Sequence, residues 1–326
     1  MERGSGGGLT ADRSRAGSTL HRLARWGLAF ACLAMGGVGQ AFAAQVAVVL
    51  SEDSAPYQEV YQVVRAHLAE RGHEVQQAYA TGLAAAALSG SRLTVAVGVR
   101  AAESLAAQPQ RTPMLAVLVP RSWYVGAGRS RLSDDGHRLV SAIFLDQPPE
   151  RQAQLIRMAF PDAQRVGVLT GAAQPRLLDE LDDALRTQRL GMVWQELAPD
   201  ARLIGPLEQI LANADLLLAV PDPQVFNRNT AQSLFLTSYR YRVPVLGYSR
   251  SLTRAGALLS LHSSPAQIGR QAAEWINQAL SAGPVRLPPP AHPAYFDVSI
   301  NEQVARSLGF VLPPEGVLEK QLGGGR

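Results

Sequence analysis

The stretch AIFLDQPPERQAQLIRMAFPDAQRVGVLTG, residues 142–171, decides the fold. It begins inside a strand-like apolar run, Leu139 to Leu145, which stops at the sequence Asp146-Gln147-Pro148-Pro149. A helical pattern follows, and a second strand-like run covers Arg165 to Thr170. Strands that alternate with helices at this spacing indicate a parallel sheet with helices packed against it.

The same alternation extends in both directions from this stretch. Before it, strands are predicted at Gln45 to Leu50, Glu74 to Ala78, Leu93 to Val97 and Met114 to Val119. After it, strands are predicted at Met192 to Leu197, Asp215 to Val220, Val243 to Leu246 and Ala257 to Leu261, and a last strand and helix at Tyr295 to Leu308. Helices are predicted at Pro149 to Phe160, Arg176 to Arg189, Leu203 to Asn213, Pro223 to Arg240 and Pro265 to Ser281. The fold class is therefore α/β.

The Pro148-Pro149 pair divides these elements into two sets. Each flank carries a complete series of strands and helices, which favours two smaller doubly wound parallel sheets over one wide sheet. Gly and Ser are sparse around the prolines, so the connection is short and stiff. A second extended connector, PVRLPPPAHP at residues 284–293, lies near the C-terminus. The sequence predicts two α/β lobes joined by several short crossings.

The positive charge of the chain is concentrated at its N-terminus. The formal net charge is +4 and the isoelectric point is near 9.5, yet residues 1–43 contain five arginines and only two acidic residues. The remaining residues are close to neutral, so nucleic acid is not expected as a partner.

Residues 1–43 have the layout of a secretory signal peptide. A basic segment, HRLARW, precedes the apolar run Gly27 to Val38, and small residues precede a cleavage position after Ala43. That run is shorter than the ~20 residues needed to span a bilayer. The sole cysteine, Cys32, would leave with the signal; its acylation as a lipid anchor is the alternative, which Phe30 disfavours because a small residue is wanted there. The mature chain is expected in the periplasm, without disulfides.

Five segments carry a resemblance to a known family: LDQPPERQAQLIRMAFPDAQRVGVLTG, ADLLLAVPDPQVFN, YRVPVLGYSRSLTRAGALLSL, IGRQAAEWINQAL and INEQVARSLGFVLP. In this order and spacing they resemble the solute-binding proteins of ABC importers, in the generic substrate-binding protein branch. The resemblance implies the two-lobe type I periplasmic-binding-protein fold. It also implies three crossings between the lobes, near Asp146 to Pro148, near Leu258 to Ser263, and through Pro284 to Pro293.

These crossings give the expected domain boundaries. After the signal peptide at 1–43, the N-terminal lobe comprises 44–146 plus about 258–283, the C-terminal lobe 147–257 plus about 284–313, and 314–326 form a C-terminal tail. Asp146, Gln147 and Pro148 are interpreted as a stiff hinge that lets the lobes close over a ligand. A simple helix-start turn, with Pro149 at the first helical position, is compatible with this and needs no motion.

Ligands of open parallel sheets bind outside the carboxyl ends of the strands. The polar and aromatic residues in the segments at these ends are the ligand-binding candidates: Ser51, Ser54, Tyr57, Arg100, Arg121, Trp123, Asp222 and Tyr248. For each, a solvated loop or a helix cap is the alternative role. Asp222 lies in the family's Pro-x-Asp element, and its alternative role is to cap a helix that starts near Pro223.

The chain departs from relatives known for amino-acid uptake. Their Asn-Pro-x-Glu-x-x-Ser turn is replaced by TGAAQPR, which lacks the glutamate, and the tyrosine before the Gly269 helix is also absent. The resemblance therefore does not carry over amino-acid specificity. Arginines near several strand ends, Arg100, Arg121 and Arg250, favour an anionic or carboxylate ligand.

Signatures of other classes are missing. GAGRSR at 126–131 lacks the Gly-Lys-Ser/Thr of a phosphate-binding loop, and a mobile loop near the cleft is expected there. No Gly-x-Ser-x-Gly elbow occurs, and no metal-ligand spacing joins the six histidines, His21, His67, His73, His137, His262 and His292. We expect no enzyme activity, no cofactor and no metal.

The sequence thus predicts a monomeric periplasmic solute-binding protein. It would capture a small molecule between its lobes and present it to an ABC permease in the inner membrane. The alternative is a periplasmic sensing domain that signals to a membrane receptor or kinase without transport. Neighbouring genes for a permease and an ATPase would favour import.

Overall fold

The computed structural model describes Met1 and residues 45–323, except 135, 172–174, 200, 228 and 282. The predicted signal peptide, with Cys32 and the cleavage position after Ala43, lies outside the described residues apart from Met1. All the elements below belong to one unit, Ala43–Arg326.

The first sheet is parallel throughout. Its five strands, in the described part of the chain, lie in the spatial order β2-β1-β3-β4-β5. Apolar residues fill β1 and β3, which are buried on both faces as central strands of a parallel sheet should be. The strands are β1 (Gln45–Leu50), β2 (Glu74–Tyr79), β3 (Leu93–Val97), β4 (Met114–Val119) and β5 (Val140–Phe144).

Two helices from distant parts of the chain pack together on this sheet. The helix α1 (Ala55–Ala69) starts with a proline in its first turn and buries Val60, Val64 and Leu68. The helix α10 (Pro265–Leu280) lies against it, and Gly269 makes the approach possible. A Cβ atom at Gly269 would lie 3.0 Å from the Val63 Cβ and 3.1 Å from the Val60 carbonyl. The sheet, with the helices packed on it, is called the first lobe.

The segment predicted as a mobile loop, 126–131, is helical in the structure. It continues α3 (Arg121–Trp123) through a π-helical turn, Tyr124–Gly128, into α4 (Arg129–Ser133). The expectation was wrong because burial overrides the glycines. Tyr124 and Leu132 are buried in the first-lobe core, where α2 (Val99–Ala106) also packs. A short 3₁₀ helix, Ala85–Leu88, completes this lobe.

The second sheet has six strands among the described residues, in the order β11-β10-β9-β8-β6-β7. All neighbours are parallel except β10 and β11, which pair antiparallel. The strands are β6 (Arg165–Thr170), β7 (Gly191–Glu196), β8 (Leu216–Leu218), β9 (Val245–Gly247), β10 (Leu259–His262) and β11 (Asp297–Ile300). This sheet and its helices form the second lobe.

The helices of the second lobe are α5 (Pro149–Ala159), α6 (Pro175–Thr187), α7 (Ile204–Leu211), α8 (Ala231–Tyr241), α9 (Arg250–Ala255) and α11 (Glu302–Leu308). Four of them, α5, α6, α7 and α11, occur where the sequence predicts them, whereas α9 was not predicted and α8 begins later than predicted. The helix expected from Pro223 begins only at Ala231. Asn227 and Thr230 hold the preceding chain in turns instead: the Asn227 Oδ1 accepts from the Thr230 N–H, and the Thr230 hydroxyl donates to the Val225 carbonyl.

Two of the expected lobe boundaries also differ in the structure. Leu259–His262 was assigned to the N-terminal lobe but forms β10 of the second sheet, because Leu259 pairs with Leu246 of β9. The connector was assigned to the C-terminal lobe. Its residue Ala291, however, exchanges backbone hydrogen bonds with Ala142 and Phe144 of the first sheet, and Leu287 packs on the first-lobe core.

The expected C-terminal tail instead contains an ordered helix, α12 (Glu315–Gln321). Its Leu318 is fully buried in the second-lobe core. Glu315 and Glu319 accept hydrogen bonds from the backbone N–H groups of Ile300 and Val298, so the helix covers the exposed edge of β11. Among the described residues, no helix is long and apolar enough to cross a membrane.

Candidate functional site

A cavity of about 100 Å³ lies between the two lobes. An engineered apolar cavity of ~150 Å³ accommodates benzene, so this conformation has room for a small molecule only. Both lobes and the C-terminal connector contribute to its lining: Arg121, Ser122, Asp146, Gln147, Pro149, Gln152, Thr170, Leu177, Leu178, Leu181, Val220, Pro221, Asp222 and His292.

One wall of the cavity is apolar. Leu177, Leu178 and Leu181 come from α6, whose remaining face carries charged residues. Val220 and Pro221 extend this wall from the end of β8. An apolar surface with a few polar groups opposite is typical of small-molecule sites.

Asp222 follows β8 and is held by two backbone donors. The Gly171 N–H donates to its Oδ2 at 2.7 Å, and the Gln224 N–H donates to its Oδ1 at 2.9 Å. A Cβ atom at Gly171 would displace the side-chain oxygen of Gln224 and lie 3.2 Å from Asp222 Oδ2, so the chain packs closely there. Asp222 therefore ties the ends of β6 and β8 together rather than capping a helix at Pro223.

Asp146 lies at the first crossing between the lobes. Its Oδ2 accepts a 2.6 Å hydrogen bond from the Arg121 backbone N–H. Burial raises the pKa of the Asp146 carboxyl from 3.8 to about 6, and the hydrogen bond from Arg121 offsets only part of this shift. The positive charge of Arg121 also favours the ionised carboxylate, but it does not cancel the effect of burial.

A strained backbone conformation at the end of β4 sets the direction of the chain that leads to Arg121. Leu118 has a φ of 54°, and the pairing of β4 with β5 shifts register between Val117 and Val119. A bulge of this kind bends the strand and changes the direction of the chain that follows. Left-handed backbone at a residue such as Leu costs on the order of 1 kcal/mol and occurs most often at functional sites.

Tyr248 interacts electrostatically with the carboxylates of Asp146 and Asp222. Burial raises the pKa of its phenol to about 12, and the negative charges of Asp146 and Asp222 add to the shift. The ring packs edge-to-face on Phe226, with the ring centroids 6.1 Å apart. The Tyr248 hydroxyl therefore stays protonated at neutral pH.

His292 lines the cavity from the connector, and its role was not predicted from the sequence. Its Nδ1 lies 2.9 Å from the Asp146 carbonyl oxygen, which can only accept, so Nδ1 carries the proton. Burial lowers the pKa of the imidazole, which leaves Nε2 as an acceptor in the neutral ring. The connector was recognised in the sequence, but nothing local distinguished this histidine from the other five.

The three crossings between the lobes are joined by side chains. Gln147 is only 2% exposed; its Nε2 donates to the Ser263 hydroxyl at 2.9 Å, and its Oε1 accepts from Arg151 at 2.6 Å. The Ser263 hydroxyl donates to the Tyr295 carbonyl, and Arg151 also donates to the Pro293 carbonyl at 3.2 Å. Of the hinge candidates, Gln147 belongs to this network, and Asp146 is joined to the third crossing by the hydrogen bond between His292 and its carbonyl.

The predicted binding residues separate into two groups. Arg121 and Asp222 line the cavity, and Tyr248 interacts electrostatically with the two carboxylates in the lining. The other five are not brought to the cavity: Ser51, Ser54, Tyr57, Arg100 and Trp123. Sequence reasoning missed Gln152, Thr170, His292 and the three leucines of α6, because no local motif marks them.

Structural roles account for most of the second group. The buried Ser51 hydroxyl donates to the Val97 carbonyl at 2.8 Å and accepts from the Ala101 N–H at 3.0 Å. Tyr57 packs over Gly98, and Trp123 packs against Gly128. Arg100 is 63% exposed and lies 3.8 Å from Glu52. Ser54 occupies the N-cap position of α1 without a side-chain hydrogen bond.

The arginines that favoured an anionic ligand do not supply a free cation to the cavity. Arg121 pairs with Glu180, with Nη1 2.6 Å from Oε2, and Arg100 and Arg250 are exposed residues outside the lining. Within the described ranges, no cluster of His, Cys, Asp or Glu could hold a metal ion.

Comparison with solved structures identifies the fold. A conserved domain protein from Vibrio cholerae superposes with a TM-score of 0.62 at 21% identity, covering 84% of this chain and 97% of that one. An ABC domain from Streptococcus pneumonia in complex with L-Trp superposes with a TM-score of 0.62 at 17% identity, covering 86% of this chain and 99% of that one. A ligand-free, open substrate-binding protein from Clostridium difficile superposes with a TM-score of 0.63 at 14% identity, covering 83% of this chain and 96% of that one. No protein-family model and no curated protein matches the sequence. The chain has the type I periplasmic-binding-protein fold expected from the resemblance.

Proposed function

We propose that this protein is a periplasmic solute-binding protein that captures a small molecule between its lobes and presents it to an ABC importer. The observation that carries the proposal is the cavity itself, which is lined by residues of both lobes and lies beside the network that joins the three crossings. The solved structures that share the fold include one in complex with L-Trp and one ligand-free structure described as a substrate-binding protein, which agrees with this role.

The mechanism follows from where the contacts lie. A ligand that touches α6 and Asp222 on one side and the Arg121–Asp146 region on the other gains its full set of contacts only when the lobes are closed. Such a ligand shifts the equilibrium toward the closed form by its difference in affinity for the two forms. The short, hydrogen-bonded crossings let the lobes rotate without unravelling either sheet.

The first experiment is native mass spectrometry of the protein purified from a periplasmic fraction, followed by a melting-temperature screen of small metabolites. A ligand at 100 times its Kd adds about 2.7 kcal/mol. For a chain of this size that is a shift of several degrees. A retained small molecule or a clear shift supports solute binding, whereas no shift across a broad screen would count against it.

Two further experiments address location and partner. Processing of the chain after Ala43, with recovery of the shortened protein from the periplasm, is the expected outcome of fractionation and N-terminal sequencing. Import requires a permease that recognises the ligand-bound form, and ligand uptake that depends on this protein would show it. Signalling to a receptor or kinase without uptake is the alternative outcome.

A further inference from the structure

The side chain of Gln152 offers an amide group to the cavity. The Gln152 side chain, on α5, is only 7% exposed and lines the cavity. It makes no hydrogen bond with any part of the chain that the structure describes. The amide is open to the space of the cavity, where a ligand can replace water as its hydrogen-bond partner.

The charged residues that line the cavity, Asp146, Asp222 and Arg121, carry an excess of negative charge. The two carboxylates in the lining, Asp146 and Asp222, receive hydrogen bonds from backbone N–H groups rather than from cations. The one arginine in the lining, Arg121, pairs with Glu180, which also pairs with Arg176, and the charge of Arg121 acts on Asp146 as well. An anionic ligand would be repelled by the two carboxylates, and a cationic one would be attracted.

The remaining polar groups favour a ligand that donates hydrogen bonds. The free ring nitrogen of His292 is an acceptor, and the Gln152 amide offers an oxygen. An ammonium group has three N–H donors and no acceptor, which suits two carboxylates and a further acceptor. The leucine wall of α6 provides an apolar surface for the rest of the molecule.

We propose that the cavity binds a small primary amine with an apolar body and no carboxylate, with its ammonium group held by Asp146 and Asp222 and Gln152 contacting the same end. This inference rests on the proposed solute-binding function and specifies its ligand class. It replaces the anionic ligand favoured by the sequence.

Four compounds that share a short alkyl chain and differ in their polar group test the proposed ligand class. They are n-butylamine, n-butanol, butyrate and norvaline, titrated calorimetrically into the protein at pH 7.5. We expect n-butylamine to bind at least 10-fold more tightly than n-butanol or butyrate, and no less tightly than norvaline. Tighter binding of butyrate would overturn the proposal. Tighter binding of norvaline would also overturn it, since Arg121 would then exchange Glu180 for the ligand carboxylate.

Substitutions of the cavity residues test where the ammonium group binds. Asp146→Asn should weaken n-butylamine binding at least 10-fold, and Gln152→Leu about fivefold. Gln154→Leu is the matched control, because Gln154 is exposed on the same helix, and it should change nothing. Unchanged affinity in both cavity variants would overturn the assignment.

If none of the four compounds binds but the metabolite screen finds another ligand, the amine class fails and solute binding stands. If the screen finds no ligand either, both proposals fail.

Discussion

Arg121 and Glu180 form an ion pair that joins the two lobes, with Nη1 of Arg121 2.6 Å from Oε2 of Glu180. Arg121 belongs to the first lobe and is fixed by its backbone hydrogen bond to Asp146. Glu180 lies on α6, next to the leucines that form the cavity wall. The Arg121 side chain lowers the pKa of Glu180, so the pair is charged at neutral pH. The pair therefore stabilises the arrangement of the lobes seen in this structure.

Removing this charge should open the lobes. Glu180→Gln keeps the shape but weakens a partly exposed pair, which is worth up to about 1 kcal/mol. We expect a shift of up to about fivefold toward open forms, seen as a larger radius of gyration in X-ray scattering of the ligand-free protein. Asp182→Asn is the matched control, because Asp182 pairs at 2.6 Å with Arg186 on the same helix. An equal expansion in both variants would contradict the interlobe role.

The two prolines at the first crossing should affect binding more than folding. Pro148 precedes α5 and Pro149 starts it. Replacing both with alanine loosens the connection between the lobes but removes no core contact, so ligand affinity should change while the melting temperature moves little. Both are measured on the same samples, by calorimetry and thermal unfolding. A large loss of stability with unchanged affinity would contradict the hinge interpretation.

The Asp146 carboxyl should make the folded state less stable as the pH rises. Its pKa is higher in the folded state, about 6, than its ordinary value of 3.8, so the folded state holds the proton more tightly. This stability is fully present below pH 3.8 and is lost as the pH rises through 6. Asp146→Asn should therefore raise the free energy of unfolding by up to about 3 kcal/mol at pH 7.5 and hardly at all at pH 4. Urea unfolding at both pH values measures it, and an equal effect at both would refute the assignment.

Gly171 should be intolerant of a side chain. A methyl group there would overlap Gln224 and crowd Asp222, so Gly171→Ala should cost about 1–3 kcal/mol and weaken ligand binding. Gly191→Ala provides the control, because the nearest atom to its Cβ would be the Gln164 carbonyl oxygen at 3.7 Å. Denaturant unfolding and calorimetry of the two variants should separate clearly; similar losses in both would show that the contact with Asp222 is not the cause.

The sequence predicted the elements well where the signal is local. The apolar runs of β1 and β3 identify buried strands, and Pro149 and Pro265 identify helix starts, because burial on both faces and a fixed φ constrain each residue directly. Local reasoning failed where distant contacts override it. The segment 126–131 is helical because it packs on a core, and the chain after Pro223 forms turns because side chains bond its backbone.

Short segments of the sequence were enough to predict the α/β class and the two sheets, because periodicity and turn chemistry are local properties. The site depends on tertiary contacts. Arg121 and Glu180, or Gln147 and Ser263, are far apart in sequence, and nothing in either neighbourhood encodes the pairing. Their contacts are set by how two separately formed sheets come together, and so is the charge of the cavity between them.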